Sequence, residues 1–155
     1  MLFSKKNLVK LSAVALVATM IFTGCGNKGK EASNEVKLND GTYSKVAEEA
    51  DSNGYTYECT LVVEDGKITS VKYDGVDANG KSKSQASFDG EYVMTEDGLT
   101  WGAQAEALAS YVVEKQSLEG LTVNEEGKTD VVSGVSININ GFIEFVEDCL
   151  EQASK

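Results

Sequence analysis

The chain of 155 residues contains no histidine, no arginine and no proline. Without histidine there is no Ser-His-Asp triad and no imidazole-ligated metal site. Without arginine, all fourteen basic residues are lysines, so a planar guanidinium cannot clamp a phosphate through two parallel hydrogen bonds. Basic charge is scarce as well. Twenty-five acids against those lysines leave a net charge of −11, a surface that repels nucleic acid and anionic headgroups. The lysines are scattered rather than gathered into a patch, so no nucleic-acid partner is expected.

What is present begins with an export signal. Lys5, Lys6 and Lys10 precede an apolar run over 11–22, too short to span a bilayer, that ends at Thr23-Gly24-Cys25. The segment resembles a bacterial lipoprotein signal with Phe22 at the usual leucine position. Residues 1–24 are then a cleaved signal peptide, and Cys25 is the lipidated residue. Cleavage there leaves 131 residues with a net charge of −14, enough for one domain with its own core. Residues 25–39 read as the lipidated cysteine followed by a polar tether, about 20 Å in root-mean-square span. The domain is expected over 40–155, held at the outer, extracytoplasmic face of the cell membrane.

Within it, 42–47 reads as a first strand and Asp51-Ser52-Asn53-Gly54 as a turn. Residues 55–64 alternate Tyr55, Tyr57, Cys59, Leu61 and Val63 with Thr56, Glu58, Thr60, Val62 and Glu64, the period of two of a half-buried strand. Asp65-Gly66 supplies a hairpin turn of the kind that needs positive φ, and 67–73 returns as its partner. Residues 74–90 read as a long Gly/Ser/Lys/Asp loop, of a length that hints at a site or a lid. With Gly80 aligned to the invariant glycine of an EF-hand, Gly75 and Ala86 fall at ligand positions, so calcium is rejected and no metal is expected. A helix is expected over 102–116, with Trp101, Ala105, Leu108 and Val112 on one stripe. Residues 118–123 suggest another strand. Phe142 is followed by Phe145, Val146, Cys149, Leu150 and Ala153 at +3, +4, +7, +8 and +11, the clearest helix in the chain. Asn138 or Asn140 is its expected cap. The fold class is α+β, an antiparallel sheet covered by these two helices. Cys59 and Cys149 both face inward, as a disulfide or as buried thiols.

Between the last two segments lies Asp130-Val131-Val132-Ser133-Gly134-Val135-Ser136. It reads as a strand end turning sharply at Gly134 toward the C-terminal helix. Ser136 is then placed where free helix N–H groups attract a phosphate.

The order of these pieces resembles the FMN-binding domain of flavin-carrying quinone-reductase subunits and of small bacterial lipoproteins, the pheromone-precursor type among them. Asp40-Gly41-Thr42-Tyr43, Gly54-Tyr55 and Val63-Glu64-Asp65-Gly66-Lys67-Ile68 match its opening strands, and Tyr73-Asp74, Asn79-Gly80-Lys81 and Lys83-Ser84-Gln85 match the lipoprotein subgroup. The family's attachment motif is Asp, two variable residues, Ser or Thr, Gly or Ser, Ala, then Thr or Ser. Asp130, Ser133, Gly134 and Ser136 match it, while Val135 stands in the place of alanine.

The resemblance implies a twisted antiparallel sheet with two helices and FMN joined by a phosphoester to Ser136. It also implies a flavin transferase and a quinone-linked membrane redox protein as partners. Lys128, Lys81 or Lys83 would supply countercharge, and Trp101, Phe88 or Tyr92 would supply a surface for the isoalloxazine. The function implied is electron transfer without catalytic residues of the chain's own, rather than stand-alone enzymatic turnover. The alternative is a non-redox lipoprotein acting as a binding or signalling module, or as precursor of a pheromone cut from 17–24.

Overall fold

In a computed structural model, residues 37–94 and 97–155 are described. The expected signal peptide, Cys25 and positions 26–36 of the expected tether lie outside the described residues. Three strands, β1 (Gly41–Val46), β2 (Thr56–Glu64) and β3 (Lys67–Val76), precede three helices, α1 (Lys83–Phe88), α2 (Trp101–Lys115) and α3 (Asn140–Ala153). The strands form an open antiparallel sheet in the order β1-β2-β3. The α+β expectation therefore holds, with α1 added to the two expected helices. Among the described residues, no helix is long and apolar enough to cross a membrane.

The alternation in β2 fixes which face is covered. Cys59, Leu61 and Val63 are buried while the residues between them are partly open. Asp65 and Gly66 turn the hairpin with φ of 52° and 72°, the paired positive values of a type I′ turn, whose twist matches that of the strands it joins. On the buried face α2 packs against β3, and α3 lies across β1 and β2. Leu108 and Val112 from α2, Phe142 and Val146 from α3, and Leu61 and Ile68 from the sheet belong to one buried core.

Both edges of a three-stranded sheet present unpaired backbone groups, and here a glutamine engages each. Gln116 Oε1 accepts from Ile68 N–H at 2.8 Å and Gln116 Nε2 donates to Ile68 C=O at 2.9 Å, so one side chain stands in for a fourth strand. Gln152 Nε2 donates to Ser44 C=O at 3.2 Å on the opposite edge. Such edge occupation blocks pairing with another chain.

Three loops share one construction. In 51–55, 77–81 and 124–128 an Asp or Asn opens the loop and a glycine follows at the fourth place. The opening Oδ1 accepts N–H bonds from two and four residues on: 2.8 and 3.0 Å for Asp51, 2.8 and 2.8 Å for Asp77, 2.9 and 3.0 Å for Asn124. Each glycine takes positive φ and bonds back to the opening carbonyl. The Asp77 loop accounts for the Asn79-Gly80 pair that superficially suggested calcium.

Three expectations need correction. The stretch 74–90 is not one long loop: β3 runs on to Val76, and Ser82 Oγ then accepts from Gln85 N–H at 3.1 Å to cap α1. Residues 118–123 form no strand, because no neighbouring strand offers them a ladder; they follow a turn closed by Leu121 N–H on Leu118 C=O, with Leu121 buried. The domain also starts before residue 40. Leu38 is buried in the core, and Asn39 ties to the end of α3 through N–H and Nδ2 bonds to Ala153 C=O at 2.8 and 3.1 Å.

Candidate functional site

The motif residues Asp130, Ser133, Gly134, Val135 and Ser136 lie on one connecting loop, but the geometry around Ser136 differs from a strand-to-helix turn. No strand precedes it. Thr129 is buried, its Oγ1 takes Val131 N–H at 3.1 Å, and Ser133-Gly134 turns with Val135 N–H on Val132 C=O at 3.2 Å. Gly134 has φ of 81°, and a Cβ there would come within 2.7 Å of Leu99 Cδ1. Glycine is needed for the backbone conformation, while the exposed Leu99 methyl could swing aside from a Cβ.

The helix start is displaced as well. α3 begins at Asn140, with Ile139 at the cap position making no side-chain cap bond. Asn138 Oδ1 instead accepts from Asn140 N–H at 3.0 Å, and Ile139 N–H reaches back to Gly127 C=O at 2.8 Å. Ser136 therefore stands four residues ahead of α3 rather than at its start.

The loop is held by α2. Gln104 is buried, and its Oε1 accepts from both Ser136 N–H and Ile137 N–H, at 2.7 and 3.1 Å, while its Nε2 donates to Leu99 C=O at 2.9 Å. The backbone donors nearest the Ser136 hydroxyl are thus already occupied, and they belong to the loop rather than to the helix start expected to receive a phosphate. Val135 turns into the core, and Ser136 is left exposed with its Oγ–H donating to Gln104 Oε1 at 3.5 Å. The β-branched side chain in the family's alanine position consequently points away from the solvent side of the turn. Gln104 was missed in sequence although it carried a signal. It lies on the stripe of Trp101, Ala105 and Leu108, a polar residue at a position the spacing buries.

The expected countercharges are engaged elsewhere. Lys128 pairs with Glu126 at 2.9 Å, and Lys81 pairs with Glu91 and Asp89 at 2.6 and 3.5 Å. Lys83 is the unusual one. Its side chain is 3 % exposed, and its Nζ lies 4.9, 5.0, 4.7 and 5.2 Å from the ring centroids of Tyr55, Tyr57, Tyr92 and Trp101. Its Nζ donates to Tyr57 Oη at 2.5 Å, Tyr57 O–H donates to Asp51 Oδ2 at 3.1 Å, and Nζ lies 3.5 Å from that same oxygen. The ammonium is thus enclosed among aromatic rings, where cation–π attraction is stronger than in water, while the Asp51 carboxylate it faces stays partly exposed.

Burial, with the Asp51 charge beside it, pushes the Tyr57 hydroxyl well above its ordinary range, so it stays protonated and bridges the pair. Burial alone would raise the Asp51 carboxyl. The N–H bonds from Tyr55 and Asn53, the Tyr57 hydroxyl and Lys83 together outweigh it and hold that carboxyl below the usual aspartate value.

Trp101 is buried against Tyr57 and Tyr73, at centroid distances of 6.0 and 6.1 Å, and Tyr92 meets Tyr55 edge-on at 5.9 Å. Trp101 serves both the core and the cage, and the half-buried Tyr92 serves the cage. Phe88 differs: it is 49 % exposed and its ring lies over Gly102 in the first turn of α2. Leu99 and Val131, each 42 % exposed, add apolar surface on the two loops that meet at Gly134. The arrangement offers an exposed serine on a pinned turn, with the apolar surface of Leu99 and Val131 on the loops that form it.

No family model matches the chain, and no curated protein matches it. Two solved structures do. One, determined in solution by NMR, is a structural-genomics target from Clostridium thermocellum; it is 31% identical, with 76% of this chain and 94% of that one covered and a TM-score of 0.57. The other is a crystal structure of a Clostridium perfringens protein, 27% identical over 75% of this chain and 88% of that one, with a TM-score of 0.60. With that identity over nearly the whole Clostridium thermocellum protein, the chain belongs to the same family.

Proposed function

We propose that this protein is a lipid-anchored, extracytoplasmic carrier of FMN, with the flavin joined through its phosphate to Ser136 Oγ. The observation that carries the reading is the exposed Ser136 on a turn pinned by Gln104, its hydroxyl held only by a long 3.5 Å bond to Gln104 Oε1, with Val135 turned inward. A phosphoester needs an accessible hydroxyl and does not need a preformed anion cradle, so the donor set fits attachment. Bound FMN would supply one- and two-electron redox chemistry. The protein's own residues would hold the attachment point still and lend the apolar surface of Leu99, Val131 and Phe88. A flavin transferase would be the modifying partner and a quinone-linked membrane flavoprotein the electron donor, with Cys25 holding the domain at the outer membrane face.

The test is co-expression of the full chain with a flavin transferase. Flavin fluorescence that survives denaturing electrophoresis is expected, together with a mass increase of one FMN less one water. Ser136→Ala should lose both signals. A wild-type chain that stays unmodified while a control substrate is labelled overturns the covalent reading. That result would favour the second reading, a non-redox binding or signalling lipoprotein, for which the occupied N–H groups beside Ser136 already speak.

A further inference from the structure

The interface between β2 and α3 holds two reactive groups that the Ser136 site does not use. Cys59 and Cys149 are each 0 % exposed and both are free thiols. Cys149 Sγ–H donates to Cys59 C=O at 4.0 Å, which brings the second thiol onto the backbone of the first. Polar contacts on both sides fix this juxtaposition. Lys45 is the cross-strand partner of Cys59, and its Nζ pairs with Asp148 at 2.5 Å, one residue before Cys149. Gln152 reaches Ser44, the next residue of β1, at 3.2 Å. The helix is thus held with Cys149 directly over Cys59.

We propose that Cys59 and Cys149 are an internal redox pair that closes to a disulfide joining β2 to α3. The inference is independent of the flavin reading. Each thiol loses its hydrogen and one S–S bond forms. The two electrons and two protons pass to an external disulfide, of oxidised glutathione or of a thiol oxidoreductase, which departs as two thiols. The route is ordinary exchange: one thiolate opens the external disulfide to a mixed disulfide, and the second displaces the outgoing thiol.

Burial decides when this happens. The neighbouring Cys149 thiol and burial hold the Cys59 thiol protonated in the folded protein, and no oxidant reaches a residue without exposed surface. Exchange therefore requires α3 to be undocked, either during folding or in an opening that lifts the helix. The pair records the redox condition in which the chain folded, and the packed core then preserves that state.

The experiment uses the full chain with Cys25→Ser, which leaves two cysteines. One sample is refolded from denaturant with oxidised glutathione and one with dithiothreitol. Each is then unfolded in N-ethylmaleimide and weighed intact. The oxidised sample is expected to carry no adduct and to have lost two hydrogens, the reduced sample to carry two adducts, and the denaturant midpoint to be higher for the first. Two adducts, glutathione adducts alone or intermolecular dimers in the oxidised sample overturn the proposal. A third sample, folded reduced and only then given oxidised glutathione, should close at least tenfold more slowly than the refolding sample. Equal rates overturn the gating by burial.

Discussion

Replacing Lys83 by methionine tests whether the caged ammonium holds the sheet, α1 and α2 together. The substitution keeps a chain of similar length among Tyr55, Tyr57, Tyr92 and Trp101 and removes only the charge and its hydrogen bond. A desolvated cation–π contact is worth about 2 kcal/mol; the four contacts at 4.7 to 5.2 Å share one cation and do not add. Removing one partner of a fully buried ion pair costs about 3–5 kcal/mol. Asp51 keeps two backbone N–H bonds and is 24 % exposed in its side chain, so solvent relieves part of that cost. Sulfur–aromatic contacts return about 0.3–1.5 kcal/mol. The balance is a loss of about 2–3 kcal/mol, or a fall in Tm of roughly 8–12 °C for a domain of this size. Trp101, the single tryptophan and part of the cage, reports unfolding by fluorescence in guanidinium chloride. The double variant Lys83→Met/Asp51→Asn should recover part of the loss, because it also removes the carboxylate left unpaired. A single variant within about 0.5 kcal/mol of wild type would show that the cage is packing around an incidental cation. A double variant with merely additive losses would refute the coupling.

Asp51 also sets an acid limit. Its carboxyl lies below the ordinary 3.8 in the folded state, so its contribution is complete above that value and is lost as pH falls through the lower, folded one; urea midpoints of wild type and Asp51→Asn should differ at pH 6 and converge toward pH 2. Gln116→Ala removes both bonds to Ile68 and should lower stability by about 1–2 kcal/mol. Gln116→Gly should lose less than alanine does, since φ at this position is 59°, and equal losses in denaturant titrations would discount the backbone contribution. Gln104→Leu leaves the Ser136 and Ile137 N–H groups without their acceptor and should cost about 2–3 kcal/mol. Gln104→Glu keeps the acceptor but sets an oxygen against Leu99 C=O in a buried site, so it should recover little of that loss at neutral pH and more at acid pH, where a protonated carboxyl can donate to Leu99; amide hydrogen exchange at the two positions checks this.

The parts of the fold legible in sequence were those fixed by local pattern. Tyr55 to Glu64 alternates because one face of β2 is covered, and Asp65-Gly66 turns because both residues take positive φ. The Phe142, Phe145, Val146 and Cys149 stripe is the buried side of α3. Where the pattern was weak, tertiary context decided. α1 is six residues long and depends on Ser82 and on Phe88 over Gly102, while its Gly- and Ser-rich surroundings suggested a loop. The apolar run around Leu121 reads as a strand, yet no neighbouring strand extends the sheet to meet it. The cage was equally hidden, since no single-sequence rule brings Asp51, Tyr57, Lys83, Tyr92 and Trp101 to one point.

The motif around Ser136 shows the same division more sharply. Gly134 does make the turn and Ser136 does stand exposed beyond it, but the flanking geometry comes from α2 rather than α3. This changes what the site can hold. A free phosphate binds where backbone N–H groups point into solvent, and at Ser136 and Ile137 those groups already converge on one buried oxygen of Gln104. An incoming anion would have to displace a fully desolvated amide that also holds Leu99. The lysines that could compensate are paired or caged. What remains is the hydroxyl of the exposed Ser136, whose long 3.5 Å bond to Gln104 Oε1 is the one contact of this set that esterification would remove. A flavin phosphate at this turn would therefore be retained by its ester linkage, with electrostatic capture contributing little.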